Sequence, residues 1–101
     1  MLNPTHEQSW LADPTARLVW RQWGDAHFAF DPRSHQTHFL NTLAVEVVAL
    51  LDERPKSLAE IHRALTERYE VEDDDESLLE AIQSSLNVLD RLGIIQSRRA
   101  A

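Results

Sequence analysis

The chain has 101 residues, of which 17 are acidic and 10 are basic, and its formal net charge at pH 7 is −7. An acidic chain repels nucleic-acid phosphates and anionic lipid, so neither nucleic acid nor a membrane is an expected partner. Cysteine is absent, which excludes disulfides, thiol catalysis and thiolate zinc sites. The length fits one domain with a single core. The N-terminus does not resemble a signal peptide, and no apolar run reaches the ~18 residues of a membrane helix, so we expect a cytoplasmic protein.

The first segment of the chain lacks a hydrophobic period. Residues 1–17 contain Pro4 and Pro14, and they show neither a helical nor an alternating pattern. We therefore predict an irregular N-terminal arm. Trp10 should hold this arm to the body of the domain, because a large aromatic side chain is costly to leave in water.

Three short segments rich in β-forming residues follow the arm. They cover residues 18–23, 27–30 and 36–40. Gly24-Asp25 is typical of a hairpin turn, and "DPRS", with Asp31 first and Pro32 second, is typical of a type I turn. Because tight turns join neighbouring antiparallel strands, these segments predict a three-stranded antiparallel meander.

After residue 40 the hydrophobic period changes from two to about 3.6, which indicates helices. Asn41 or Thr42 can cap a first helix that runs to about Glu53, and Pro55 stops it. The second helix begins at the capping box "SLAE" of residues 57–60.

The third helix is predicted to run from about Asp74 to Leu92, with Gly93 as the C-terminal stop. Because all strands precede all helices, the fold class is α+β, with a three-stranded antiparallel meander followed by three helices that pack on one face of the sheet. This domain should span residues 18–96, and residues 97–101 should form a flexible tail.

The segment between the second and third helices is strongly acidic, since six of the seven residues from 70 to 76 are Asp or Glu. We interpret it as a solvated loop whose last acids favour the N-terminus of the next helix through the helix dipole. A cation site or an acidic patch for docking a partner is the alternative.

The sequence does not contain a motif for catalysis or cofactor binding. His27, His35 and His38 are the candidate metal ligands, but strand alternation places His35 and His38 on opposite faces, which disfavours a shared metal. The chain lacks a nucleophile elbow, and its two glycines do not form a phosphate-binding loop. We therefore expect no enzymatic activity, no metal and no cofactor.

Peptide binding through a strand edge is compatible with these features. The third predicted strand, residues 36–40, leads directly into the first helix, and its free edge would offer N–H and C=O groups to an extended peptide. Small side chains follow one side of the third helix, at Ala81, Ser84, Ser85 and Val88. They either leave a groove beside the strand edge or allow close packing within the domain, and the residues alone leave both interpretations open.

One stretch of the sequence resembles a known family. "DPRSHQTHFLNTLAVEVVALLDE", followed by "SLAEI" and "LGII", is similar to the PqqD-like peptide chaperones. The similarity covers residues 18–95 and is closest to the branch associated with an HPr-kinase-related protein. His35-Gln36 departs from the family's turn, where a small or acidic residue, often with glycine, is expected, and this leaves the turn type open.

The resemblance implies a winged-helix-like domain that recognises the leader segment of a ribosomally made precursor peptide. The leader would add as a strand along the third strand, lie against the last helix and be presented to a separate modifying enzyme. An HPr-kinase-related protein is the candidate for that enzyme. The peptide-binding residues that the resemblance implies are Gln36, Thr37, His38, Phe39, Leu40, Ala81, Ser84, Ser85, Val88 and Arg91.

Two other functions stay open at this point. A winged-helix nucleic-acid binder would read DNA with the third helix, but Arg91 is the only basic residue there, so the charge opposes this function. An accessory subunit would dock on a partner enzyme through the acidic run of residues 70–76. A free strand edge can also pair with its own copy, so the sequence allows a homodimer.

Overall fold

The computed structural model describes residues 8–70 and 76–99, and the α+β prediction is confirmed. Within these residues, the strands form two three-stranded antiparallel sheets beside three helices. The elements, in chain order, are β1 (Gln8–Ala12), β2 (Val19–Trp23), β3 (Ala26–Asp31), β4 (Gln36–Leu40), α1 (Thr42–Glu53), β5 (Lys56–Ser57), α2 (Leu58–Tyr69), α3 (Glu76–Arg91) and β6 (Ile95–Arg99).

The predicted meander is present as the sheet β2-β3-β4. Gly24 has a φ of +61° and is the first residue of the two-residue β2–β3 turn, which suits a type II′ hairpin. In the β3–β4 turn, the carbonyl of Asp31 accepts hydrogen bonds from the N–H groups of Ser34 and His35. His35 occupies the left-handed region with a φ of +60°, where glycine is usually favoured. The unusual residue in this turn therefore adopts the backbone conformation of a glycine.

The second sheet corrects two predictions about the ends of the chain. Residues 8–12, predicted as part of an irregular arm, form the central strand β1 of the sheet β5-β1-β6. Residues 97–99, predicted as part of a flexible tail, belong to β6, which pairs with β1 from Gln8↔Arg99 to Ala12↔Ile95. The two strands are far apart in sequence, so no local sequence pattern predicts that they pair. Residues 13–17 are irregular as predicted, and residues 1–7 and 100–101 lie outside the described residues.

The helix ends follow the predicted capping signals. The side chain of Asn41 accepts a hydrogen bond from the N–H of Ala44 at 2.8 Å, which caps α1. Ser57 and Glu60 form the reciprocal capping box of α2. Gly93, with a φ of +78°, ends α3 in a Schellman-type arrangement, since the N–H of Ile94 donates to the carbonyl of Leu89 at 3.0 Å. The acidic run, apart from its end residues 70 and 76, and the predicted start of the third helix lie outside the described residues.

The core lies mainly between the helices and the second sheet, rather than under the meander as predicted. The contacts of α1 with α3 and β1, and of α3 with β6, enclose most of it. β2 is exposed along its whole length, and Trp10 packs against the core from β1. None of the described helices is long and apolar enough to cross a bilayer. The buried apolar residues are Ala29, Leu40, Ala44, Val47, Val48, Leu51, Ile61, Leu65, Ile82, Leu86, Leu89, Ile94 and Ile95.

The Arg33 side chain connects the meander to the rest of the domain. Its guanidinium donates to both carboxylate oxygens of Asp31, at 3.0 and 2.8 Å, and to the carbonyl of Gly93 at 2.9 Å. It also donates to Thr15 at 3.1 Å and contacts Asp13 at 3.4 Å. One side chain thus joins the β3–β4 turn, the β1–β2 connection and the turn that ends α3.

The carboxylates around this guanidinium are held in their charged form. Hydrogen bonds from the side chain and backbone of Arg33 lower the pKa of Asp31, although burial acts in the opposite direction. The hydroxyl and backbone N–H of Thr15 donate to Asp13 and, with a smaller contribution from Arg33, lower the pKa of Asp13 to about 2. Both carboxylates are therefore more acidic in the folded protein than in the unfolded chain.

Replacing Arg33 with alanine should destabilise the domain far more than replacing an exposed arginine. The Asp31 side chain is only 3% exposed, so removal of the Arg33 guanidinium would leave a nearly buried carboxylate without its charged hydrogen bonds, which is strongly destabilising. The exposure of Arg33 itself reduces this effect. In urea unfolding at pH 7, the midpoint should fall for Arg33→Ala by roughly three times as much as it does for Arg54→Ala, or more. Arg54 pairs with Glu60 at 2.8 Å, but both side chains are exposed, and such pairs contribute little. Equal shifts would show that Arg33 does not connect the domain.

The domain should lose stability as the pH falls from about 4 to about 2. The pKa of Asp13 falls from 3.8 to about 2 on folding, so the unfolded chain takes up the proton first and the stabilisation present above pH 4 disappears through this range. Urea unfolding between pH 5 and pH 2 measures the effect. Asp13→Asn should show a shallower pH dependence, and an unchanged slope would contradict the role of Asp13.

Candidate functional site

A groove of about 280 Å³ lies between α3 and the junction of β4 with α1. All the residues that line it are uncharged: Phe39, Leu40, Asn41, Leu43, Ala44, Ala81, Ser84, Ser85 and Val88. The strand–helix groove, as we call it, can therefore receive apolar side chains and hydrogen-bond neutral groups, and its lining does not supply the paired acid and base that proton-transfer catalysis requires.

The small residues of α3 do both things that the sequence left open: they allow close packing within the domain, and they leave space for a groove beside the strand edge. Ser85 is only 8% exposed, so its size allows α3 to approach the rest of the domain. Ala81 is half-buried, whereas Ser84 and Val88 are exposed, and all three line the groove. Larger side chains at Ser84 or Ala81 would fill the space beside β4.

The free edge of β4 lies next to this groove. β4 pairs with β3 on one side, and among the described residues no strand pairs with its other side. An edge strand presents backbone N–H and C=O groups in a row, and an added chain can bind to them. The structure thus brings a free strand edge and a groove together at Phe39 and Leu40.

The other predicted site residues have different positions. Gln36, Thr37 and His38 belong to β4 but do not line the groove. Arg91 is exposed in the last turn of α3 and also lies outside the lining. These residues belong to the same edge or helix as the groove without forming its walls.

Sequence reasoning missed the third wall of the groove, which consists of Asn41, Leu43 and Ala44 at the start of α1. The cap signal of Asn41 was recognised, and it placed the start of the helix correctly. The sequence does not reveal the angle between β4 and α1, and it is this angle that makes the first turn of α1 face α3.

The outer face of the meander carries an aromatic patch that extends to the groove. Strand register places Phe28 opposite both Arg21 and Phe39 on this face, and the rings of Phe28 and Phe39 meet edge to face with centroids 4.8 Å apart. Trp23 is 83% exposed and Phe39 is 76% exposed. Exposed aromatic clusters of this kind are typical of interaction surfaces. Phe39 belongs to both the outer patch and the groove, so the two surfaces are continuous.

The three histidines of the meander do not converge. Strand register places His27 and His38 on the inner face, whereas His35 is in the turn before β4. Within the described residues, no group of three or more His, Asp or Glu side chains could hold a metal ion. Among the described residues, this region therefore offers a free strand edge and apolar surfaces rather than a cluster of metal ligands.

Comparison with known proteins places this geometry in a family. None of the curated protein sequences compared with the chain matches it significantly. The solution NMR structure of the PqqD truncation of Methylobacterium extorquens PqqCD, described as a functional and stand-alone recognition element for ribosomally synthesised and post-translationally modified peptides, has a similar fold. Its TM-score is 0.66 at 19% identity over 87% of this chain and 88% of that chain. The family model "Coenzyme PQQ synthesis protein D (PqqD)" matches residues 26–95, which include β4, α1 and α3. The resemblance to the PqqD family is thereby confirmed, and the chain belongs to that family.

Proposed function

We propose that this protein is a non-catalytic peptide-binding chaperone for the leader segment of a ribosomally made precursor peptide. The leader adds as a strand to the free edge of β4 and lies against α3. The observation that carries the proposal is the unpaired edge of β4 beside the strand–helix groove. The similarity to a structure described as a peptide recognition element supports the same function.

Strand addition determines which side chains of the peptide the protein can read. Successive side chains of an added strand point to opposite faces of the sheet. Residues on the inner side of the peptide would enter the groove beside Ala81, Ser84 and Val88. Residues on the outer side would lie beside Phe39, next to the aromatic patch. Main-chain hydrogen bonds would supply much of the affinity, and the groove would supply the selectivity.

The groove is small compared with most ligand pockets. Its volume of about 280 Å³ lies just below their usual range. The preferred inward-facing residues of the leader are therefore apolar and of small or medium size. Charged residues are disfavoured at these positions, because the lining offers them no counter-charge.

In this proposal the protein presents the captured leader to a separate modifying enzyme. The outer side of the bound strand and the tip of the meander stay accessible, so an enzyme can approach the peptide from that side. The sequence resemblance to one branch of the family makes an HPr-kinase-related protein the first candidate for this partner. Pairing of β4 with a second copy of the chain would compete with the peptide for the same edge.

Nucleic-acid binding is the alternative function, and the charge of α3 opposes it. Glu76, Glu80 and Asp90 accompany the single basic residue Arg91 within this helix. Phosphate contacts would require more basic side chains on one face. Binding to duplex DNA at low salt, falling steeply as salt is added, would favour this alternative over peptide capture.

Replacing Ser84 with tryptophan should block peptide capture while the fold is kept. Ser84 is exposed and lines the groove, so a bulky side chain there fills the space without entering the core. We expect leader peptides encoded beside the gene to bind at least about tenfold more weakly, as measured by fluorescence anisotropy. A tenfold loss of affinity is about what the removal of one favourable contact would cost in binding free energy.

Glu80→Trp is the matched control for this measurement. Glu80 is exposed on α3 and lines neither the groove nor the aromatic patch, so the same substitution there should leave peptide affinity unchanged. NMR amide shifts caused by the peptide should concentrate in residues 36–40 and 81–88. Unaltered binding by Ser84→Trp, or shifts confined to other elements, would show that the peptide binds elsewhere.

A further inference from the structure

A cavity with a volume of about 770 Å³ lies on the other side of α3. Leu79, Gln83, Leu86 and Asn87 form its α3 wall. Helical residues advance by about 100° each, which places this wall roughly opposite the wall that Ala81, Ser84 and Val88 give to the strand–helix groove. The α2–α3 cavity, as we call it, is therefore a separate surface, and its volume falls within the range of ligand pockets.

The lining of this cavity consists of an apolar floor and a set of polar residues. Trp10, Leu58, Leu79 and Leu86 are buried or half-buried and form the floor. The polar lining residues are Gln8, Ser57, His62, Gln83 and Asn87. None of the described lining residues is an acid, a lysine or an arginine, although 27% of the chain is charged. A cationic ligand would find no carboxylate among them, so the described lining favours an uncharged, largely apolar ligand.

Among the described residues, one polar atom of this lining lacks a hydrogen-bond partner, and two amide side chains of the lining are exposed. In the part of the chain that the structure describes, the Nε2 nitrogen of His62 is buried and has no hydrogen-bond partner. A buried polar atom without a partner is costly, so each one requires an explanation. Gln83 and Asn87 are exposed one helical turn apart. Each amide side chain has both donor and acceptor groups, which matches the donors and acceptors of a peptide main chain.

We propose that the α2–α3 cavity is a second binding site, which takes an uncharged peptide segment of a partner protein. One large apolar side chain of that segment lies on the Trp10–Leu86 floor. The main-chain amides of the segment hydrogen-bond Gln83 and Asn87, and one polar group of the segment completes the hydrogen bonding of His62. This site would leave the strand–helix groove free, so α3 could contact two peptides at once.

Capped tripeptides can test this proposal without knowledge of the partner. Acetyl-Ala-Phe-Ala-amide, titrated into ¹⁵N-labelled full-length protein, should cause saturable amide shifts at His62, Gln83 and Asn87. Acetyl-Ala-Lys-Ala-amide should bind at least about tenfold more weakly, because the described lining residues include no carboxylate to pair with its ammonium group. Shifts confined to Phe39 and its neighbours, or equal affinity for the two peptides, would overturn the proposal.

His62→Phe tests the role of the imidazole, since it keeps an aromatic ring and removes the nitrogen. The affinity for the phenylalanine peptide should fall about tenfold, as expected for one lost hydrogen bond in a buried site. If near-UV circular dichroism shows that this variant is not folded, Gln83→Leu, at an exposed position, should still weaken binding severalfold. Affinity equal to that of the unaltered protein in a folded variant would overturn the assignment.

The experiment also separates this proposal from leader capture. Ser84→Trp fills the strand–helix groove and should leave binding of the phenylalanine tripeptide unchanged. His62→Phe should leave binding of the leader unchanged. Loss of tripeptide binding in Ser84→Trp would place the tripeptide in the groove and would overturn a separate second site.

Discussion

The position of the meander depends on the charged hydrogen bonds of Arg33. The inner face of the meander contributes few buried apolar residues, chiefly Ala29 and Leu40, and β2 contributes none. Apolar burial alone would therefore fix its orientation only weakly. The contacts of Arg33 with Asp31 and with the carbonyl of Gly93 add directional constraints, because a guanidinium forms hydrogen bonds in a fixed planar geometry. The strand–helix groove exists only if this orientation is kept, since one of its walls is on β4 and another is on α3.

Helix α3 contributes residues to the core and to both candidate sites, each from a different side of the helix. Its buried residues, Ile82, Ser85, Leu86 and Leu89, face the interior. On one flank, small side chains leave room beside the β4 edge. On the other flank, two amide side chains border the α2–α3 cavity. A rigid helix with two usable flanks can bring a captured leader and a second peptide close together without a change in fold.

The direct passage from β4 into α1 explains how a short strand can serve as a docking edge. Asn41 caps the helix at the residue after the strand ends, so no flexible linker separates the two elements. Leu40 is buried while Phe39 is 76% exposed, and this alternation anchors the strand on one face and leaves the other accessible. The edge is therefore held in an extended conformation, which would lower the entropic cost of strand addition in the proposed function.

Local chemistry was sufficient to predict much of this protein from its sequence. Turn residues, alternation and capping motifs determined β2 to β4, the N-termini of α1 and α2, and the stop of α3 at Gly93, because each signal acts within a few residues of the structure it directs. The residue types along α3 also indicated which of its side chains are small enough to border a groove. The pairing of β1 with β6, the third wall at Asn41 to Ala44, the contacts of Arg33 with Gly93 and the α2–α3 cavity were decided only by the tertiary structure. Each of these joins segments that are distant in sequence, and their meeting depends on the packing of the whole chain rather than on the preference of any one segment.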